Sequence, residues 1–256
     1  MLAEEKLDVC IAVMPVELIS ETGIRLLQSN VPCVVEKPLG STFAEVQRLV
    51  DTARAAETPN MVSVNRRFMS LLNRGIEWAR SAGTLRYVRA TMLRHERTER
   101  DFLRTTAIHA LDTVRYVAGD FTGVNIRAIK STLPYWYAID VQFGNGALGR
   151  VDILPTAGML EETYELMGEG FRCIVVSPFG AQRLLRCYRK NQLVLEEIAD
   201  NNTPEDVIFG FYAEVVELVD AIVHGRRPVP SIEEIFPSVQ ACFELADQIN
   251  NDSSLA

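Results

Sequence analysis

The sequence is short of the residues that build metal centres and disulfide frames. It has only three histidines, His95, His109 and His224, in 256 residues. Its five cysteines, Cys10, Cys33, Cys173, Cys187 and Cys242, are widely scattered with no C-x-x-C pair. This excludes a zinc cluster and points to reduced, mostly buried thiols. No apolar run approaches the ~20 residues that cross a bilayer, and the amino terminus, MLAEEKLDVCIAV, lacks the basic stretch of a signal peptide. Positive charge is also scarce, 26 Lys+Arg against 34 Asp+Glu for a net charge of −8. That balance disfavours nucleic acid and anionic membranes as partners. A soluble cytoplasmic protein with no metal is expected, long enough for one large domain or two smaller ones.

Three short apolar runs separated by helical patterns dominate the first 69 residues. Leu7 to Val13 and Val31 to Val35 read as buried strands, and residues 61–64 as a third. Residues 16–29 carry a helical apolar face, and Thr42-x-x-Glu45 is a capping-box signature opening a second helix. Strands alternating with helices of about a dozen residues predict βαβ units and a parallel sheet. Beyond residue 69 the pattern changes. A helix near 70–82, a strand at 85–94 and a helix near 105–118 precede a stretch, 122–199, that reads mainly as antiparallel strands. Asn145-Gly146 marks a hairpin turn; Gly168-Glu169-Gly170 and Arg189 to Gln192 mark two more. Two helices close the chain near 204–223 and 232–249, the second opened by Ser231-x-x-Glu234 and kinked or restarted at Pro237. The expected division is 1–69 as an α/β piece and 70–256 as an α+β domain.

Three constellations carry possible chemistry. Glu36-Lys37-Pro38 follows the second strand, at the end where open α/β sheets place ligands. Lys37 there is either an ordinary loop charge or a cation held beside a reacting oxygen. His109 and Asp112 lie one turn apart with Thr105 on the same helix face. They are either a polar pair on a helix surface or an imidazole oriented by an acid for proton exchange. Arg94, His95, Arg97, Arg100 and Arg104, mixed with Glu96, Glu99 and Asp101, form either a solvated loop or a cluster for a substrate carboxylate or phosphate. His224, at a helix end before Gly225, reads as structural.

Taken in order, Glu36-Lys37-Pro38, Asn65-Arg66-Arg67-Phe68, His109-x-x-Asp112 and the closing run FYAEVVELVDAIVHGRRPVPSIEE (211–234) resemble the Gfo/Idh/MocA oxidoreductases over almost the whole chain. That resemblance implies a Rossmann domain and a carboxyl-terminal α+β domain with an open-faced, mostly antiparallel sheet. It implies NAD or NADP as cofactor and a sugar-like or cyclitol alcohol as substrate. It also implies a homo-oligomer, with the open sheet face packing against another subunit. By the same resemblance Lys37, His109 and Asp112 are catalytic, with Lys37 near the substrate hydroxyl and His109 as acid/base. Met14, Pro15, Glu36 and Arg67 fall on the cofactor side, Glu36 where the ribose is held.

The sequence also departs from the family. Thr105 stands where an aspartate is usual, and Ile19 where a histidine is common. No G-x-G-x-x-G turn is expected after a strand, so the loop that holds a pyrophosphate on a helix N-terminus is missing. The chain is therefore expected to hold only strands four to six of the Rossmann sheet. Strand four would then be an apolar edge, open to pairing with another chain unless the chain is a fragment. The alternative function is a catalytically silent member that binds a ligand or serves as an oligomeric scaffold.

Overall fold

The computed structural model describes residues 5–99, 101–129 and 135–252. They fall into two compact units, Met1–Val64 with Tyr212–Gln240, and Asn65–Phe211 with Ala241–Ala256.

The first unit is built on β1 (Cys10–Ala12), α1 (Val16–Gln28), β2 (Cys33–Glu36), α2 (Phe43–Ala55) and β3 (Asn60–Ser63). The strands pair in parallel in the order β1-β2-β3, as the alternation of strands and helices predicts. Val34, Val35, Met61 and Val62 are buried in this sheet, as are Leu49 and Val50 of α2. Helix α2 starts as its sequence demands. The Glu45 amide donates to Thr42 Oγ1, and the Ser41 and Thr42 amides donate to Glu45 Oε2. This reciprocal cap satisfies amides that the helix itself leaves without partners.

Strand β1 is shorter than its apolar run predicts because β2 offers it only three register partners, Cys33 to Val35. It lies at the sheet edge, and Ile11 and Val13 are 54% and 74% exposed. The far side of β3 is closed by the chain after α6 (Phe211–Val223): the Val62 amide donates to Pro230 O and the Ile232 amide to Asn60 Oδ1. Helix α7 (Ile232–Asn250) then runs continuously through Pro237. Pro237 thus does not restart the helix. It lies in the second turn, where it removes a single backbone bond.

The second unit is an eight-stranded sheet with helices on one face. It comprises α3 (Ser70–Ala82), β4 (Leu85–Leu93), α4 (Ile108–Ala118), β5 (Phe121–Ile129), β6 (Trp136–Phe143), β7 (Leu148–Leu154), β8 (Glu161–Gly168), β9 (Phe171–Val176), β10 (Leu184–Arg189), β11 (Gln192–Ile198) and α5 (Glu205–Ile208). The strand order is β11-β10-β9-β8-β4-β7-β6-β5, antiparallel throughout except for the parallel pair β4 and β7. Alternation is clear in β4: Val88, Ala90 and Met92 are buried, while Arg89 and Thr91 line an open concavity of about 880 Å³ on the other face. That face is charged, with Arg89 on Asp152 and Arg150 on both Asp140 and Asp152.

The turn residues behave as their chemistry dictates. Lys190 and Asn191 take positive φ (49° and 64°) in the two-residue turn between β10 and β11. At the β6–β7 turn, Gly146 has φ of 82° and Asn145 Oδ1 accepts from the Ala147 amide. The expectation that no G-x-G-x-x-G spacing follows a strand is corrected here. Gly144, Gly146 and Gly149 have that spacing after β6. They cross a hairpin into β7, however, and no helix N-terminus follows to receive a phosphate.

Gly210 shows a tighter constraint. Its φ is 86°, and a Cβ there would stand 2.4 Å from the Asn65 carbonyl oxygen. Gly210→Ala should therefore lower the urea midpoint of unfolding, by the equivalent of about 1–3 kcal/mol. An unchanged midpoint would show that the backbone relaxes around the methyl group.

Candidate active site

In the first unit the expected site residues gather at the carboxyl ends of the strands. Met14 and Pro15 follow β1, Pro15 standing just before α1, whose first turn has no side-chain cap. Met14 is 40% exposed. Glu36 ends β2, with Lys37 next to it, both half-buried, and the Lys37–Pro38 peptide is cis. Glu36 is in register with Ser63 of β3, so their side chains leave the sheet on the same face.

Sequence reasoning missed a further acid here. Glu214 of α6 is 4% exposed, and its Oε2 accepts from Ser63 Oγ at 2.9 Å. Burial, and secondarily the charge of Glu36, push its carboxyl up to about 7, against the opposing pull of hydrogen bonds from Ser63 and Val64. The signal was present in the sequence: Glu214 lies four and seven residues before the buried Leu218 and Ala221, on the apolar face of α6.

In the second unit a 3-10 turn, Asn65–Phe68, carries two adjacent arginines to different destinations. Arg67 grips Asp112 bidentately, Nε to Oδ2 and Nη2 to Oδ1, both at 2.8 Å, and lies 5.0 Å from the Tyr116 ring centre. Arg67 and Asp112 are 4% and 1% exposed, and His109, one turn before Asp112, is also buried. The pair His109 and Asp112 is thus an interior pair, and the helix-surface alternative does not apply. The structure brings Arg67, expected on the cofactor side, onto Asp112, expected on the catalytic side.

Thr105 lies four residues before His109 but outside the α-helix that carries His109 and Asp112. It belongs to a π-helical turn, Leu103–Ala107, and its hydroxyl donates to the Asp101 carbonyl at 2.9 Å. Helix α4 is instead tied through Thr113, whose hydroxyl donates to the His109 carbonyl at 2.7 Å.

Arg66 pairs with Glu162 of β8, Nε to Oε2 at 3.1 Å and Nη2 to Oε1 at 2.8 Å. Arg94 and the Tyr164 hydroxyl also donate to Glu162, which has no exposed surface. Burial raises the Glu162 carboxyl, but the charges of Arg66 and Arg94 and the hydrogen bonds from Arg66 and Tyr164 outweigh it and hold the group at about 2. Both guanidiniums also lie over Phe179.

Arg94 is therefore an interior strut, not a member of an open cluster. Arg97 pairs with Glu99, and Arg104 with Asp101 while lying 4.6 Å from the Phe243 ring centre. His95 is exposed beside Glu96, and Arg100 lies outside the described residues. Arg94 apart, residues 95–99 form a largely exposed charged loop, as the first of the two readings has it. His224 sits on its own helix end against Asp220, as a structural residue would.

Among the described residues, no group of three or more His, Cys, Asp or Glu is arranged for a metal ion. All five cysteines are free. Among the described residues, no helix is long and apolar enough to cross a membrane.

Residues 1–65 match the sequence model of the Gfo/Idh/MocA family, described as an oxidoreductase family with an NAD-binding Rossmann fold. No curated relative matches the chain. Among solved structures, an oxidoreductase from Agrobacterium radiobacter in complex with NAD+, L-tartaric acid and magnesium is similar at a TM-score of 0.84 and 17% identity, over 98% of this chain and 80% of that one. A Gfo/Idh/MocA family oxidoreductase from Vibrio cholerae is similar at 0.79 and 21%, over 95% and 80%. Levoglucosan dehydrogenase in complex with NADH is similar at 0.81 and 17%, over 98% and 80%. The first 65 residues are thus similar in sequence to the Gfo/Idh/MocA oxidoreductase family, and nearly the whole length shares the fold of these solved structures.

Proposed function

We propose that this chain is an NAD(P)-dependent oxidoreductase, or part of one, that moves hydride between a sugar-like or cyclitol alcohol and nicotinamide. The observation that carries this reading is the line of residues at the carboxyl ends of a parallel sheet, Met14-Pro15, Glu36-Lys37 and Ser63, where open α/β sheets hold nucleotides. The residues present suit the group. The uncapped first turn of α1 offers amides, Glu36 a carboxylate for a ribose diol, and Lys37 a cation. The levoglucosan dehydrogenase among the structural neighbours supports a sugar-like substrate. In this reading β1, β2 and β3 correspond to strands four to six of a Rossmann sheet.

When bound, a nicotinamide cofactor supplies the hydride acceptor or donor. The protein's own residues supply the rest, and each role is assigned separately. The Lys37 ammonium stabilises negative charge developing on the substrate oxygen. A ring nitrogen of His109 takes the hydroxyl proton. Asp112, fixed by the Arg67 fork, sets the charge beside that imidazole, and we assign Arg67 its part through this pair. The first unit serves the cofactor and the second the substrate and subunit contacts, with the charged open face of the eight-stranded sheet as the contact surface of a homo-oligomer. Five free cysteines suit a reducing compartment, and the cytoplasm is the location we assign.

A second reading, a silent member that binds a ligand or acts as a scaffold, draws support from Thr105, which has no negative charge to lend a nearby imidazole. Incubation with NAD+ or NADP+ and a panel of aldoses, anhydrosugars and cyclitols separates the two. Absorbance growing at 340 nm with at least one substrate is the expected result, and a flat trace with every member favours the silent reading.

A further inference from the structure

Glu214 is a buried acid that the proposed hydride chemistry leaves unused. One carboxyl oxygen accepts from Ser63 Oγ at 2.9 Å, and the other, Oε1, is buried with no hydrogen-bond partner. Ser63 and Glu36 are register neighbours in parallel strands, so Glu214, Ser63 and Glu36 occupy one face at the carboxyl ends of β2 and β3, with Lys37 next in the chain. Ionising an acid with an orphaned buried oxygen forfeits solvation that nothing replaces. Two carboxylates on one patch raise that cost, since the second proton leaves against the charge of the first.

We propose that Glu214 is a positioning residue for Glu36: the pair holds one shared proton, carried on the otherwise unpartnered Oε1 of Glu214 and offered to Glu36, which fixes Glu36 for a diol such as a nucleotide ribose. This rests on the reading of Glu36 as a ribose-holding residue. The groups acting on Glu214 are Glu36 from β2, and the Ser63 hydroxyl and Val64 amide from β3. On α6 itself the next acid, Glu217, is committed to Arg226 and the Val229 amide. The shared proton is lost as pH rises through about 7, so the fixation of Glu36 belongs to the neutral and acid side.

Carboxyl ¹³C NMR titrations of the full chain, of Glu214→Gln and of Glu36→Gln test this directly. In the wild type, one carboxyl is expected to titrate near 7. In Glu36→Gln the Glu214 midpoint should fall by about one unit, because the neighbouring charge is gone. In Glu214→Gln the Glu36 carboxyl should titrate as a single ordinary acid. NADH affinity should weaken about tenfold from pH 6 to pH 8 in the wild type and stay level in Glu214→Gln, which keeps the neutral shape. A Glu36 titration identical in wild type and Glu214→Gln overturns the proposal, as does a Glu214 midpoint below 5. If the carboxyls prove coupled but NADH binds neither protein at any pH, the shared proton stands and the ribose role of Glu36 falls.

Discussion

Glu162→Ala is expected to be the most damaging single substitution in the second unit, removing about 3–5 kcal/mol of stability. It would leave Arg66 and Arg94, 6% and 3% exposed, without their shared carboxylate. The cost is that of two uncompensated buried cations, so it should exceed the loss of a Leu-sized side chain of equal burial only by the charge it strands. Urea unfolding followed by circular dichroism gives the value. Glu162→Gln keeps the shape but not the charge, and should be nearly as destabilising. A loss under 1 kcal/mol in both variants would mean that the guanidiniums find other partners or reach water.

The same acid sets one side of the pH dependence, and Glu214 sets the other. Glu162 is held at about 2 against an ordinary 4.5. Its contribution is complete above its ordinary value and is lost as pH falls toward 2. Glu214 is raised to about 7 from 4.5, so its contribution is complete below 4.5 and is lost as pH rises through 7. These two groups together place maximal stability near pH 5. Between pH 5 and 8 the Glu214 slope amounts to about 3 kcal/mol, and Glu214→Gln should flatten it.

Lys37→Ala is expected to lower kcat about 10²-fold or more for the substrate the panel reveals, with a smaller effect on KM. An ammonium that acts on developing charge matters more in the transition state than in the bound ground state. His109→Ala should lower kcat similarly and abolish the limb of the pH profile that reports the imidazole. Unchanged turnover in Lys37→Ala would remove that residue from the mechanism. Unchanged pH dependence in His109→Ala would return it to a packing role.

Much of this architecture was legible because its signals are local. The Thr42 and Glu45 cap, the alternation of buried Val88, Ala90 and Met92, and the turns at Asn145-Gly146 and Lys190-Asn191 each follow from a few neighbouring residues. Lys37, His109 and Asp112 were also visible, as charges in suggestive places.

Long-range pairing was not legible. That Arg67 would take Asp112, 45 residues away, or that Arg66 and Arg94 would share Glu162, depends on how the turn after β3 packs against α4 and β8. A partial clue existed, since Glu162 has the same strand parity as the buried Tyr164 and Leu166 and so needed an interior partner. The π-helical turn at Leu103–Ala107 left no comparable clue, because the apolar pattern around it fits an ordinary helix.

The most direct measurement is a titration of the whole chain with NADH and with NADPH, followed by nicotinamide fluorescence. An NAD(P)-linked oxidoreductase requires a saturable change with at least one of them, weakened in Glu36→Ala. No change with either nucleotide up to millimolar concentration would contradict the assignment for this chain.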